Sequence, residues 1–184
     1  MTMFKTLMLL LLNVVFLSTN ALGQEADIPS AERFLENHGL SKNQEVPDFQ
    51  YESIDGDEIN LKNYEGEFIL IDFWGTWCQP CYKEALFLKE AHTEFGDQIK
   101  FIGVAVDDKE EKIREFNDTF GIQWTQIMTS SDSELINKFN VKLFPTTILI
   151  GPDQKIVNGA NSEEQIGKLK GKNLIKTLET YVDS

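Results

Sequence analysis

The chain has 184 residues, of which 41% are apolar and 26% charged, a balance that supports a packed core and excludes a disordered polymer. Seventeen basic against 30 acidic side chains give a formal net charge of −13, and such a surface repels phosphate backbones and excludes nucleic acid as a partner. Two cysteines are the whole complement, too few for a framework of stabilising bridges.

Residues 1–23 read as a secretory signal peptide. After Lys5, "LMLLLLNVVFL" (residues 7–17) has the length of an h-region, roughly 7–15 residues, and is short of the ~18 that span a bilayer. Small residues at Ala21 and Gly23 place cleavage after Gly23, and no nearby cysteine offers a lipid anchor. The alternative is an uncleaved leader anchoring the chain in the membrane, against which Asn13 and the short run weigh. Cleavage removes one basic group, Lys5, leaving 16 against 30 and a net charge of −14.

Residues 24–45 read as a helix and linker. "PSAERFLENHGL" sets Ala31, Phe34 and Leu35 on one side and stops at Gly39, beside which His38 is expected to cap the helix or face solvent. The remaining 46–184 form one domain. In "VPDFQYESIDGDEINLKNYEGE" the Asp55-Gly56 pair marks a hairpin turn. "FILIDFW" is a strand buried on both faces and interrupted by one acid, Asp72. Residues 80–95 turn helical, with Ala85, Leu88, His92 and Phe95 on one stripe, which makes His92 a packing residue. "IKFIGVAVD" is a second buried strand, and "KEEKIREFNDTFG" a helix carrying Ile113, Phe116 and Phe120 and ended by Gly121. "WTQIM" is a short strand, and "SDSELINKFN" a helix capped by Ser131 or Asp132. "FPTTILIGPDQKIVN" gives two strands around a Gly-Pro-Asp turn, and "EEQIGKLKGKNLIKTLETYV" one helix weakened by Gly167 and Gly171. Strands alternating with helices before a closing hairpin predict an α/β sandwich with a mixed sheet.

Cys78 and Cys81 fall where a buried strand feeds a helix. Unpaired N–H groups and the helix dipole at that point favour a thiolate. Cys81, nearly one turn on, can then attack the same sulfur, and Pro80 suits a first helical turn because no N–H is needed there. Two other readings are a pair of buried apolar cysteines and half of a metal site. Structural zinc needs about four donors, and no second pair exists. As a stabilising bridge the pair would close too short a loop to restrict the unfolded chain much.

"ILIDFWGTWCQPC" resembles the active-site strand and turn of thioredoxins, with Asp72, Trp77, Cys78, Pro80 and Cys81 on pattern. "FPTT", residues 144–147, resembles their cis-proline loop. The hairpin "PDFQYESIDGDEINLKNYEGEFIL" and "FIGVAVDD" are similar to the TlpA/ResA-like branch of exported thiol-disulfide oxidoreductases, and the likeness spans residues 46–157. It implies a thioredoxin-like sandwich, with a central mixed β-sheet flanked by helices and an N-terminal hairpin. It makes Cys78 the nucleophile, Cys81 the resolving thiol, and Asp72 a buried acid of raised pKa that exchanges a proton with Cys81. Trp77, Pro80, Phe144 and a cis Pro145 would receive substrate, with Trp74 packed beside them. The resemblance calls for no metal or organic cofactor. Its implied partners are disulfide-containing exported proteins, apocytochrome c among them, and a membrane electron donor. The Gln79-Pro80 pair resembles the reducing members.

Four features depart from the exported branch: Asp72, a position shared instead with classical thioredoxins; Glu67, where a basic residue is usual; the segment after Gly159, which matches nothing specific; and the "PSAERFLENHGL" helix, which lies outside the common pattern. Two rivals share the fold. A peroxiredoxin-type peroxidase requires Pro and Thr or Ser where this chain has Ile71 and Gly75. A metal-carrying or binding module of the copper-chaperone type requires wider cysteine spacing and a distal histidine, yet both histidines precede Phe101.

Overall fold

The computed structural model describes residues 38–160 and 163–183; the expected signal peptide and most of the helix expected before Gly39 lie outside the described residues. A hairpin opens the domain, with β1 (Gln50–Glu52) antiparallel to β2 (Glu58–Asn60) and Gly56 at φ 88° in the turn. A 3-10 turn, Leu61–Tyr64, leads into β3 (Phe68–Trp74), the middle strand of a five-stranded sheet. On one side β4 (Ile99–Val106) and β5 (Thr125–Thr129) continue the sheet in parallel. On the other, β6 (Thr146–Ile150) and β7 (Ile156–Asn158) run antiparallel, so the sheet is mixed as expected.

Alternation along β3 divides the core. Ile69, Ile71 and Phe73 join one cluster with Phe49, Ile59 and Phe139. Leu70 faces the other way, among residues of α1 (Gln79–Phe95) and α5 (Lys172–Val182). Because both faces are covered, the strand reads as an unbroken apolar run rather than an alternating one. Trp74, at its end, enters a third cluster with Cys78, Cys81, Ala85 and the apolar stripe of α2 (Glu110–Phe120).

Two expected elements differ in detail. The short helix α3 (Glu134–Lys138) is capped by Ser133, whose Oγ accepts from the Ile136 N–H, and not by Ser131 or Asp132. Ser131 spends its own N–H on Asp107, and Asp132 accepts from the Ser130 hydroxyl. The C-terminal helix is two helices, α4 (Glu163–Lys168) and α5. Gly171 at φ 55° breaks the run, in a conformation open to residues without a Cβ. Its N–H goes to Glu84 Oε1 at 2.8 Å, which draws the chain back onto α1.

The end of the segment expected to be a linker packs onto the domain. Gly39 N–H donates to Asn140 O, Leu40 is buried, and Glu45 bridges Lys155. His38 is fully buried rather than capping or solvent-facing, because both ring nitrogens find partners inside.

Phe139 is wholly buried between Phe49 and Phe73, with ring centroids 5.9 and 5.4 Å away. Phe139→Ala should therefore cost about 3–5 kcal/mol, seen as a lower urea midpoint at unchanged slope. A loss below about 1 kcal/mol would mean that the hairpin side of the core collapses onto the gap.

Candidate active site

The strand-to-helix turn is held by polar contacts that the sequence does not advertise. Thr76 donates its N–H and hydroxyl to the two oxygens of Asp108, at 2.5 and 2.8 Å. Trp77 Nε1 donates to Val106 O at 2.8 Å, and the Tyr82 hydroxyl donates to Thr76 O at 2.9 Å. These bonds fix Cys78 as the N-cap of α1, in extended conformation and with no side-chain capping bond. Pro80 lies in the first turn and is exposed. Cys78 and Cys81 form a disulfide, with Cα atoms 5.4 Å apart, and both residues are buried. A thiolate at Cys78, once the bridge is reduced, would face the unpaired N–H groups and positive end of a 17-residue helix.

Asp72 lies on the α1 side of the sheet, on the face opposite Ile71 and Phe73. It is buried, and its Oδ1 accepts from the Thr147 hydroxyl at 3.0 Å, across the β3–β6 pair. Burial pushes its pKa up to about 7; the Thr147 bond and the Lys170 charge oppose this, and the Glu84 carboxylate adds to it. Asp72 and Cys81 line one small cavity of about 10 Å³, together with Trp74 and Gln126. The Asp72 carboxyl thus faces the same small space as Cys81.

Glu84 is the residue that sequence reasoning missed. It is buried in α1 and accepts from Gly171 N–H, and burial raises its pKa against that bond and the nearby Lys170 and Lys83 charges. The available signal was an acid on the apolar stripe of α1, one turn before Leu88. Gln126 is a second omission: its Oε1 accepts from Trp74 Nε1 at 3.0 Å and orients the indole, which packs on Phe116 at 4.4 Å. Gly103 leaves room for it, since a Cβ there would collide with the Gln126 carboxamide.

The rim is apolar. Trp77 is 54% exposed and meets Phe144 edge-on at 5.2 Å, while Phe144 packs against the cluster containing both cysteines. The Phe144–Pro145 peptide is cis and Pro145 is buried. Leu143, next in the chain to Phe144, adds exposed apolar surface. His92, only partly buried, packs between Phe101 and Trp124, at 5.1 Å from each. Among the described residues no three His, Cys, Asp or Glu side chains converge as a metal site. A concavity of about 380 Å³ lies between the hairpin and α3, away from the cysteines. A protein disulfide needs an apolar surface around a reachable sulfur rather than an enclosing pocket, so the dithiol rim is the better candidate.

A mixed sheet whose central strand delivers a Cys-x-x-Cys disulfide to a helix mouth, beside a cis-proline loop, defines a thioredoxin-like thiol-disulfide oxidoreductase. The chain belongs to the AhpC/TSA family, whose model matches residues 43–158. It is 29% identical over 151 residues to the thiol-disulfide oxidoreductase ResA of Bacillus subtilis, covering 80% of this chain and 83% of that one. Among solved structures, the thioredoxin domain of a Bacteroides vulgatus thiol-disulfide oxidoreductase superposes with a TM-score of 0.68 at 26% identity, over 78% of this chain and 99% of that one. A thiol:disulfide interchange protein from Bacteroides sp. gives 0.67 at 26% identity, over 79% and 92%.

Because the folded pKa of Asp72 is raised from 3.8 to about 7, the folded state holds the proton more tightly than the unfolded chain. Its contribution is therefore most favourable below pH 3.8 and is lost as pH rises through 7, by at most about 4 kcal/mol. Asp72→Asn should stabilise the oxidised protein by a few kcal/mol at pH 8.5 and much less at pH 5, in urea unfolding. Equal effects at the two pH values would show that the carboxyl is ionised throughout.

Proposed function

We propose that this protein is an exported reductase of protein disulfides. The observation that carries the reading is the Cys78–Cys81 disulfide at the mouth of α1, sharing a cavity with buried Asp72. A membrane electron donor supplies two electrons and opens the bridge to a dithiol. Cys78, as thiolate, attacks one sulfur of a substrate disulfide, and the other sulfur leaves as a thiolate and is protonated. Asp72 takes the proton of Cys81, whose sulfur then attacks Cys78 Sγ, re-forms the bridge and releases the second substrate thiol. An acid with a pKa of about 7 is matched to that exchange near neutral pH. Trp77 and Phe144 offer the extended substrate an apolar rim, backed by the buried cis Pro145, with Pro80 on the exposed edge of the same turn as Trp77.

The direction rests on the residues between the cysteines: exposed Gln79 and Pro80 carry no charge to stabilise the Cys78 thiolate further, which favours giving electrons over taking them. Export rests on the leader in residues 1–23, cleaved after Gly23 or retained as an anchor. The resemblance to the exported TlpA/ResA-like branch makes apocytochrome c, whose cysteines must be thiols before haem is attached, the first substrate to test. Peroxide is the rival oxidant that the family name raises. Buried Ile71 and Gly75 stand where a peroxidatic site places Pro and Thr or Ser, so the isolated protein should not consume hydrogen peroxide.

With insulin as the disulfide substrate and dithiothreitol as donor, the wild type should turn over while Cys78→Ser falls to background. Asp72→Asn should slow turnover at pH 7 by roughly tenfold to a hundredfold. Cys81→Ser, expressed in the native host, should hold exported proteins in mixed disulfides through Cys78, released by reductant. Apocytochromes among the captured chains support the maturation role. Recovery of nothing, or insulin reduction that survives Cys78→Ser, sinks the proposal.

A further inference from the structure

The loop that bears the rim is held from behind by a residue outside the thioredoxin-like pattern. The main chain of residues 142–145 has two hydrogen bonds among the described residues. Lys142 N–H donates to His38 Nδ1 at 3.0 Å, and Leu143 O accepts from the Thr146 hydroxyl at 2.7 Å. His38 Nε2 lies 3.1 Å from that same Thr146 Oγ1. The directions are forced. Nδ1 accepts a backbone N–H, so it carries no proton; Nε2 must therefore carry it and donate to Thr146, whose own hydrogen is committed to Leu143 O. One neutral imidazole thus ties the start of the loop to its end. Burial, with the Lys142 and Lys170 charges facing the ring, lowers the His38 pKa to about 4 against one opposing backbone contact at Asn140, so the neutral tautomer persists through the neutral range. The ring is wholly buried, and its neighbours Gly39 and Leu40 are anchored independently through Asn140 O and the core.

Between the two tied ends lie Leu143, Phe144 and Pro145, and Phe144 is the side chain that meets Trp77 beside the cysteines. We infer that His38 is a positioning residue for disulfide exchange: by bridging Lys142 and Thr146 it fixes the cis-proline loop against the dithiol, and so sets the affinity for the incoming disulfide substrate. The inference rests on the reductase reading for its substrate, but the clamp itself can be tested apart from it. Since His38 touches neither sulfur, losing it should weaken substrate binding and leave the chemistry of the thiols alone.

The test compares His38→Ala, His38→Asn and Thr146→Val in the mature chain. His38→Ala should raise KM for insulin by about tenfold with kcat within about twofold, as expected for two lost hydrogen bonds at a binding loop. Alkylation of reduced Cys78 by iodoacetamide should change by less than about twofold. His38→Asn keeps an acceptor in the place of Nδ1 and should recover part of the KM, and Thr146→Val cuts the other arm at similar volume and should reproduce part of the loss. Deuterium exchange at the amides of residues 142–147 should quicken by about tenfold or more in His38→Ala. Unchanged KM, or unchanged exchange in that peptide, overturns the inference. If His38→Ala does not fold, Thr146→Val decides by the same two readouts. If the wild type fails to reduce insulin, the reductase reading falls, and exchange alone then decides whether the clamp exists.

Discussion

Everything at the site depends on β3 being covered on both faces. With the alternation of a strand fixed at two residues, Ile69, Ile71 and Phe73 take one face, and the other is left to Leu70, Asp72 and Trp74. Position 72 is thereby sent to the α1 side, where it is buried and one neighbouring hydroxyl, that of Thr147, reaches its carboxyl. A slip of one residue would turn the acid into the Phe49–Phe139 cluster and carry Trp74 away from the cysteines. The same packing that makes the strand stable makes the acid weak, and a weak acid is what a proton exchange with a thiol requires.

The thiols stand under two opposed influences. Burial of Cys78 and Cys81 disfavours a thiolate at either, whereas the helix mouth favours one at Cys78. Cys81 sits inside the first turn and faces Asp72 across a cavity of about 10 Å³, too small to screen two negative charges from each other. In the reduced protein a thiolate at Cys81 would face the Asp72 carboxyl, whose pKa is raised first by burial and further by the Glu84 carboxylate. On the proposed mechanism the two sulfurs of the reduced protein would divide the work: the one at the helix mouth would attack, and the inner one would give up its proton as it resolves the mixed disulfide.

What the sequence revealed is what neighbours in sequence decide. "FILIDFW" shows its burial as composition, Asp55-Gly56 shows its turn, and the cysteines announce a helix mouth because Pro80 and the stripe through Ala85, Leu88 and Phe95 follow directly. Phe144 and Pro145 were legible only through the resemblance of "FPTT" to a known loop, since nothing local links them to Trp77. Ser133 displaced the expected caps because Asp107 and Ser130 reach Ser131 and Asp132 first. His38, Glu84 and the break at Gly171 were hidden for a stronger reason. Each is settled by a partner far along the chain: Lys142 and Thr146 lie 104 and 108 positions from His38, and Glu84 lies 87 from Gly171. No window over the sequence contains both halves of such a contact.

That split in legibility matches a split in what the residues do. The parts that move electrons, Cys78 with Pro80 and Cys81 on one turn, are contiguous and can be kept intact while the rest of the chain changes. The parts that place a substrate around them come from segments brought together only by folding: residue 38 before the sheet begins, Trp77 at the turn, and residues 143–146 ahead of β6. On the clamp inferred above, a change at a distant support such as His38 or Thr146 would re-aim Phe144 without touching a sulfur. Selection among substrates would then follow from tertiary contacts, whereas reactivity would follow from one helical turn.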